Sequence, residues 1–353
     1  MGEEAAHRPP NQAGRPTLDE VAERAGVSRA TVSRVVTGSA GVRKVLREKV
    51  EAAIQELGYV PNLAARSLVT RRNGAVAVLI SEPEARVFSD PFFAQHLRGI
   101  SKELTAADLQ LVLLLVDSPD DYDRIGRYLA GSHVDGLLLF SLHTNDPLPA
   151  LLRRAELPTV FGGRPGWRAS AADRPALYVD TDNRGGAQLA VQHLLDRGRR
   201  RIATITGPLD QTSAMDRLAG YRDLLPDAEP SLIAEGDFTA AGGSKAMAQL
   251  LEQAPDIDGL FAASDTMAAA ALRVLHDSGR RVPEDVAVVG FDDIEPIAAW
   301  AEPPLTTVRQ DIEEMGRLMA RLLLSLIQPG TMSEGGKPYS IMLPTRLVVR
   351  QSA

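Results

Sequence analysis

From Gly74 onward the chain alternates short apolar runs with amphipathic stretches. The runs are Ala75 to Ile80, Gln110 to Val116, Val134 to Phe140, Thr159 to Phe161, Arg201 to Thr206, Asp258 to Ala262 and Val286 to Phe291. Between them, Phe92 to Ala107, Arg184 to Arg197, Gly242 to Gln253 and Thr266 to Ser278 carry apolar residues at helical spacing. Continuous apolar strands separated by helices predict parallel sheets covered on both faces. The polar segment from Trp167 to Asp182 reads as loop and splits the runs into two sets, so two doubly wound α/β lobes are expected.

Before Gly74 the pattern changes to short helices. Thr17 followed by Glu20 is a capping-box signature, and Leu18, Val21, Ala22 and Ala25 form the apolar face of a helix from about Leu18 to Arg24. Gly26 supplies a turn, and Ser28 caps a second helix with Ala30 or Thr31, Val32 and Val35 turned inward, stopped by Gly38. A third helix from about Lys44 to Leu57 carries Val45, Val50, Ala53, Ile54 and Leu57 as its core stripe and ends at Gly58. The spacing is that of an all-α helix-turn-helix, in which the start of the second helix meets base edges in the major groove. Arg29 and Arg34 suit guanine, Ala30 suits a thymine methyl, and the hydroxyls of Thr17, Ser28, Thr31 and Ser33 suit phosphate. Beyond an extended turn, Asn62 caps Leu63 to Leu68, where Ala64, Ala65 and the wedge-like Leu68 lie among Arg66, Arg71 and Arg72. This segment is too short to persist alone, and it is expected to fold on DNA and wedge open the minor groove.

Composition sharpens the division. The net charge of -7 hides twelve Lys and Arg against eight Asp and Glu over residues 1–73, and 27 against 38 over the remainder. A basic head on an acidic body favours DNA contact at one end only. With no cysteine, disulfides, thiolate metal sites and thiol catalysis are excluded. No signal-peptide pattern and no run of about 18 apolar residues occurs, so a cytoplasmic, nucleoid-associated protein is expected. The chain has no nucleophile elbow, zincin or Walker motif. Its histidines at 7, 96, 133, 143, 193 and 276 are scattered and read as surface or structural residues. No catalysis, cofactor or metal is expected.

The head, through T-L-D-E-V-A-E-R-A-G-V-S-x-x-T-V-S-R-V-V and L-G-Y-V-P-N-x-x-A-R-S-L, resembles the lactose-repressor and galactose-repressor (LacI/GalR) family. The resemblance continues through D-x-D-N-R-G-G-A, D-R-L-A-G-Y, V-P-E-D-V-A-V-V-G-F-D-D and L-T-T-V-R-Q. It implies that Arg29, Ala30 and Arg34 read bases and that Leu68, Ala64 and Ala65 form a minor-groove hinge. It also implies a body similar to periplasmic sugar-binding proteins, with three chain crossings between lobes. The expected organisation is then a disordered tail over 1–16, the helix-turn-helix over 17–61, a hinge over 62–73 and an effector-binding and dimerisation domain over 74–353. Within that domain the first lobe takes about 74–177 and 310–337, and the second about 178–309 and 338–353. Two departures stand out: Thr37 where the family usually has Asn, and Arg43-Lys44 where a helix-opening Ser-Pro or Asp-Pro is common.

Ligands of such sheets sit beyond the carboxyl ends of the strands, here in the cleft between lobes. Arg217, Asp265 and Asp292 follow strand-like runs, and an Arg fork with a carboxylate grips adjacent sugar hydroxyls. Phe92, Phe93, Phe238 and Trp300 are candidates for stacking on a pyranose. The resemblance assigns sugar contact first to Arg217 and Asp292, then to Ser81, Asp90, Arg164, Ser213, Phe238 and Ser264. Simpler roles compete: Asp265 as a cap for the helix at Thr266, Asp293 as a loop ion-pair partner, and Trp300 as packing. The expected function is a homodimeric repressor of carbohydrate-use genes, released from a palindromic operator by a small sugar. The T-S-A-M-D-R-L-A-G-Y stretch resembles regulators of disaccharide or β-glucoside use, including cello-oligosaccharide repressors, and the resemblance implies such a sugar. Corepression or activation by the same architecture, and solute binding, are the alternatives. With the chain ending just after the strand-like run Ile341 to Arg350 and no Leu heptad tail, dimers without a tetramerising coiled coil are expected.

Overall fold

The computed structural model describes residues 16–37, 41–60, 72–167, 176–328 and 339–353. The hinge expectation at Asn62, Ala64, Ala65, Arg66 and Leu68, the stop at Gly38 and nearly all of the 1–16 tail lie outside the described residues. The chain divides into two units, residues 1–74 and 75–353.

In the first unit, α1 (Leu18–Ala25), α2 (Arg29–Val36) and α3 (Lys44–Leu57) enclose one small core of Val21, Ala22, Ala25, Val32, Val35, Val50 and Ala53. The capping box closes in both directions: the Thr17 amide donates to Glu20 Oε2 at 2.7 Å, and the Glu20 amide to Thr17 Oγ1 at 3.3 Å. Gly26 takes φ 63°, a left-handed turn that a side chain would strain, and the chain re-enters helix at Ser28, whose Oγ accepts from the Thr31 amide at 3.2 Å. Arg43 gives α3 no side-chain cap, as its positive charge implies. Val45 corrects the expected core, being 64% exposed, and of the pair Ala30 or Thr31 it is Thr31 that is half-buried while Ala30 faces outward. The buried stripe of α3 consists of Val50 and Ala53, with Ile54 and Leu57 packed against it.

The second unit opens with β1 (Ala75–Ile80), α4 (Glu84–Ser89), α5 (Pro91–Ala106), β2 (Gln110–Leu115), α6 (Pro119–Ala130), β3 (Gly136–Phe140), α7 (Leu148–Ala155), β4 (Thr159–Gly162) and β5 (Leu177–Thr181). It continues with α8 (Asn183–Asp196), β6 (Ile202–Thr206), α9 (Thr212–Leu224), β7 (Ile233–Glu235), α10 (Ala240–Gln253), β8 (Gly259–Ala262), α11 (Asp265–Asp277), β9 (Ala287–Asp292), α12 (Glu295–Ala298) and β10 (Thr306–Arg309). It closes with α13 (Ile312–Ile327), β11 (Ile341–Leu343) and β12 (Arg346–Val348). Two six-stranded sheets result, ordered β11-β5-β4-β3-β1-β2 and β12-β10-β9-β8-β6-β7. Among the described residues every pairing is parallel except β10 with β12. Each order reverses at its first strand, so the carboxyl ends of β1 and β3 in one sheet, and of β6 and β8 in the other, open the crevices where ligands bind.

Both lobe boundaries move a few residues toward the C-terminus relative to the sequence reading. The segment read as loop ends in β5, which pairs with β4, and β11 pairs with β5, so 177–181 and 341–343 belong to the first sheet. The run Ile341 to Arg350 is therefore two short strands, one in each sheet, joined by the third crossing.

Helix α13 returns to the first lobe and packs on α5 with backbones almost touching. A Cβ on Gly99 would collide with the Glu313 carbonyl, and one on Gly316 with the His96 carbonyl. Ion pairs flank this contact: Lys102 and Arg98 with Glu313 at 2.5 and 2.6 Å, and Arg317 and Arg321 with Glu103 at 2.9 Å. The close approach fixes the start of α5, which forms one wall of the cleft. Among the described residues no helix is long and apolar enough to cross a membrane.

Candidate functional site

The strand ends of the two sheets face one cavity of about 730 Å³, its open mouth included. Of the residues expected there, Asp90, Phe92, Arg164, Ser213, Arg217, Phe238, Ser264 and Asp292 line it. A continuous polar chain crosses the cavity. The Arg164 amide donates to Asp180 Oδ2 at 3.0 Å, and Asn183 Nδ2 to Asp180 Oδ1 at 3.1 Å. Arg217 Nε donates to Asn183 Oδ1 at 2.9 Å, and its Nη1 to the Ala263 carbonyl at 2.5 Å. Asp292 stands 3.6 Å from Arg217 and accepts from Gln310 Nε2 at 2.6 Å. The Arg217 guanidinium lies 3.7 Å above the Phe291 ring, with Phe238 5.9 Å away.

Burial dominates the electrostatics. It lowers the pKa of Arg217 against the opposing pull of Asp292, and it raises those of Asp180 and Asp90. Asp292 is also raised, by burial first, although Arg217 resists. Its backbone is held at φ 115°, and that of Phe238 at φ 64°. Non-glycine residues rarely adopt such angles, and these two are kept there by the packing of the cavity wall. Phe238 rests on Gly207, where any Cβ would enter the ring.

Three expected contacts lie elsewhere. Ser81 bonds Tyr122 at 2.9 Å and Asp146 at 3.1 Å within the first lobe, so its side chain is engaged away from the cavity. Asp265 is wholly buried, accepting from the Ile294 amide at 2.8 Å and from Thr307 Oγ1 at 2.5 Å. It ties α11 to β9 and β10, while Ser264 caps the helix. Trp300 is 79% exposed and does not line the cavity. Phe93, also named for stacking, is fully buried in the first-lobe core. Asp293 pairs with Arg309 and, at 2.6 Å, with Arg350.

The sequence reading missed Arg86, His96, Asp180, Asn183, Gln211 and Gln310. The strand-end rule would have found Asp180 and Gln310 had β5 and β10 been recognised as strands. Gln211 belongs to a seam that only the folded lobes create. Glu82, buried after β1, pairs with Arg86 at 2.6 Å, accepts from Ser141, and accepts across the lobes from Gln211 Nε2 at 2.9 Å. His143 Nδ1 meets Asp210 of the second lobe at 2.9 Å, while its Nε2 faces Gln211 at 3.0 Å and Glu82 at 3.4 Å. Arg164 and Asp216 form a second bridge at 2.6 Å.

The hydrogen bond to Glu82 and the nearby Asp210 lift the His143 pKa from 6.5 to about 9, against the effect of burial. A raised histidine stabilises the fold fully below its unfolded value and loses that contribution as pH rises through the folded value. Thermal denaturation should therefore show a loss of stability between pH 6.5 and above 9 that His143→Gln largely removes. Identical pH profiles for the two proteins would contradict the bridge.

In the head, Arg29, Ala30 and Arg34 are exposed on the outer side of α2. Arg29 makes one long ion pair, 3.4 Å to Asp19, with both side chains open to solvent. Ser28 and Thr31 bond each other at 2.9 Å, and Ser33 is partly exposed. The Thr17 hydroxyl is engaged as a cap.

A helix-turn-helix reader joined to a two-lobed body with a polar cavity between parallel sheets defines a ligand-responsive regulator of transcription. A family profile described as bacterial regulatory proteins, lacI family, matches residues 17–62, and one described as periplasmic binding protein-like domain matches residues 191–353. The HTH-type transcriptional regulator CelR of Thermobifida fusca is 51% identical over 342 residues, covering 96% of this chain and 98% of the relative. The chain belongs to the LacI family of bacterial transcriptional regulators. A solved transcriptional regulator CelR–cellobiose complex is 49% identical, with a TM-score of 0.74, covering 96% of this chain and all of the other. The lac repressor dimer bound to operator and the anti-inducer ONPF is 30% identical, with a TM-score of 0.79, covering 96% and 99%.

Proposed function

We propose that this regulator is a cytoplasmic, homodimeric repressor released from its palindromic operator by a neutral disaccharide of the cellobiose class. One observation carries the ligand assignment: each arginine in the cavity is already matched by a carboxylate, Arg86 by Glu82, Arg164 by Asp216 and Arg217 by Asp292. An anionic ligand would have to displace these partners. A hydroxyl-rich neutral ligand instead takes donors and acceptors that are already oriented, with Phe92 and Phe238 available to cover its apolar faces. The CelR–cellobiose relative favours the disaccharide.

The roles assigned to the residues follow from this reading. Arg217, Asn183 and Asp292 grip hydroxyls from the second lobe, with Asp90, Arg164, Ser213 and Ser264 around them. Arg29, Ala30 and Arg34 read bases, and Thr17, Ser28, Thr31 and Ser33 set the phosphate register. The chain acts by binding alone. A ligand held by both lobes biases their relative angle, and in a dimer that bias changes the spacing of the two hinge segments at the operator centre.

A thermal-shift panel of neutral sugars and sugar phosphates tests the ligand class. A sugar present at about 100 times its Kd should add roughly 2.7 kcal/mol of stability. Stabilisation by cellobiose-type disaccharides is the expected result, and stabilisation by sugar phosphates alone would overturn the reading.

A further inference from the structure

The first-lobe wall of the cavity contains polar atoms that the fold leaves unsatisfied. Neither ring nitrogen of His96 has a well-formed hydrogen bond among the described residues, the Phe92 carbonyl standing near one of them, and Nε of Arg86 is buried without a partner. His96 is completely buried in the second turn of α5. Its ring stacks on Phe140, with centroids 4.6 Å apart and planes 16° apart, and Phe92 lies 4.8 Å away. Burial drives its pKa down to about 3, with the Phe92 carbonyl opposing this to a lesser degree, so the imidazole is neutral.

For packing alone, histidine is a poor choice here. Phe93, Phe140 and Met315 surround this part of the wall, and a leucine would fill it without burying an imidazole that lacks a full set of partners. The residue cannot retreat either, since its carbonyl abuts Gly316 of α13 at the closest point of the two helices. An unsatisfied polar side chain held rigidly in a ligand cavity is the pattern expected when the missing partner belongs to the ligand.

We propose that His96 is a specificity-determining residue of the first lobe, whose neutral imidazole hydrogen-bonds a hydroxyl of the effector sugar. A hydroxyl can either donate to or accept from the ring nitrogen that the Phe92 carbonyl leaves open. Arg86 Nε, a donor only, supplies a second contact on the same wall. A rotamer change of the partly exposed Phe92 opens the ring to the ligand. The second lobe then holds the sugar through Arg217 and Asp292, and the first lobe reads it through His96. The inference rests on the sugar reading proposed above.

Isothermal titration with cellobiose, alongside melting temperatures without sugar, tests it in the full-length protein with His96→Leu and His96→Gln. His96→Leu should melt at or above the wild-type temperature and bind cellobiose about tenfold or more weakly, because a site built around a hydroxyl then loses its partner. His96→Gln, which keeps a donor and an acceptor, should bind more tightly than His96→Leu although its core is no better packed. If His96→Leu binds as tightly as His96→Gln or wild type, the residue serves packing and the inference falls. A wild-type protein that binds no sugar of the panel ends the sugar reading itself, a result separable from the order of the variants.

Discussion

Arg217→Met should leave a protein that still holds its operator but no longer answers to sugar. The guanidinium is the centre of the cavity network, bonded to Asn183 and the Ala263 carbonyl, paired with Asp292 and stacked on Phe291. Methionine keeps much of the volume and loses every polar contact. Asp292 is then a buried carboxylate without its cation, a change that typically costs about 3–5 kcal/mol. Its pKa, already raised by burial, rises further and the group goes neutral. Cellobiose affinity should fall by roughly a hundredfold or more, since about 2.7 kcal/mol corresponds to that factor. Arg217→Lys should recover little, because a point charge cannot replace a planar fork. Titration calorimetry with a parallel operator-binding assay checks this, and unchanged sugar affinity would remove Arg217 from the effector site.

The second large effect lies in the head. Arg29→Ala combined with Arg34→Ala should weaken operator binding by roughly a hundredfold or more, each base contact being worth about 1–3 kcal/mol. The fold should hardly notice. Both side chains are exposed, and the long Arg29–Asp19 pair between open side chains contributes little to stability. Cellobiose binding should match wild type. Binding to operator variants separates reading from mere attraction: loss of discrimination at particular base pairs supports base contact. A uniform weakening across all sequences would demote both arginines to phosphate ligands.

Local signals in the sequence carried the parts of the structure that depend on local physics. The capping box at Thr17 and Glu20, the cap at Ser28 and the bounds of α3 follow from neighbouring residues. Asp292 closes β9 and was legible from its strand end, whereas Arg217 sits within α9, in the helix that follows β6, and was legible through the D-R-L-A-G-Y resemblance. The rule failed for Ser81 and Asp265 because proximity to a strand end does not fix direction: one side chain points under the first-lobe loops and the other into the second-lobe core. Strand β5 was hidden by the polar segment before it, and the split of Ile341 to Arg350 between two sheets leaves no trace in an apolar pattern. The Glu82, His143, Asp210 and Gln211 seam joins residues far apart in sequence, so it exists only once the two lobes meet.

His96 illustrates the same limit from another side. As one of six scattered histidines it gave no reason to be singled out. Its burial between Phe92 and Phe140, without a well-formed hydrogen bond, is visible only in three dimensions.

The central claim is that sugar and operator compete through one conformational equilibrium. Such coupling is reciprocal, so each ligand must change the affinity of the other by the same factor. The direct measurement uses a palindromic operator selected by the protein from a random library. Operator affinity is determined with and without saturating cellobiose, and cellobiose affinity with and without saturating operator. The account predicts weakening by one common factor, on the order of 5-fold to 150-fold. Equal operator affinity in the presence and absence of the sugar would contradict it.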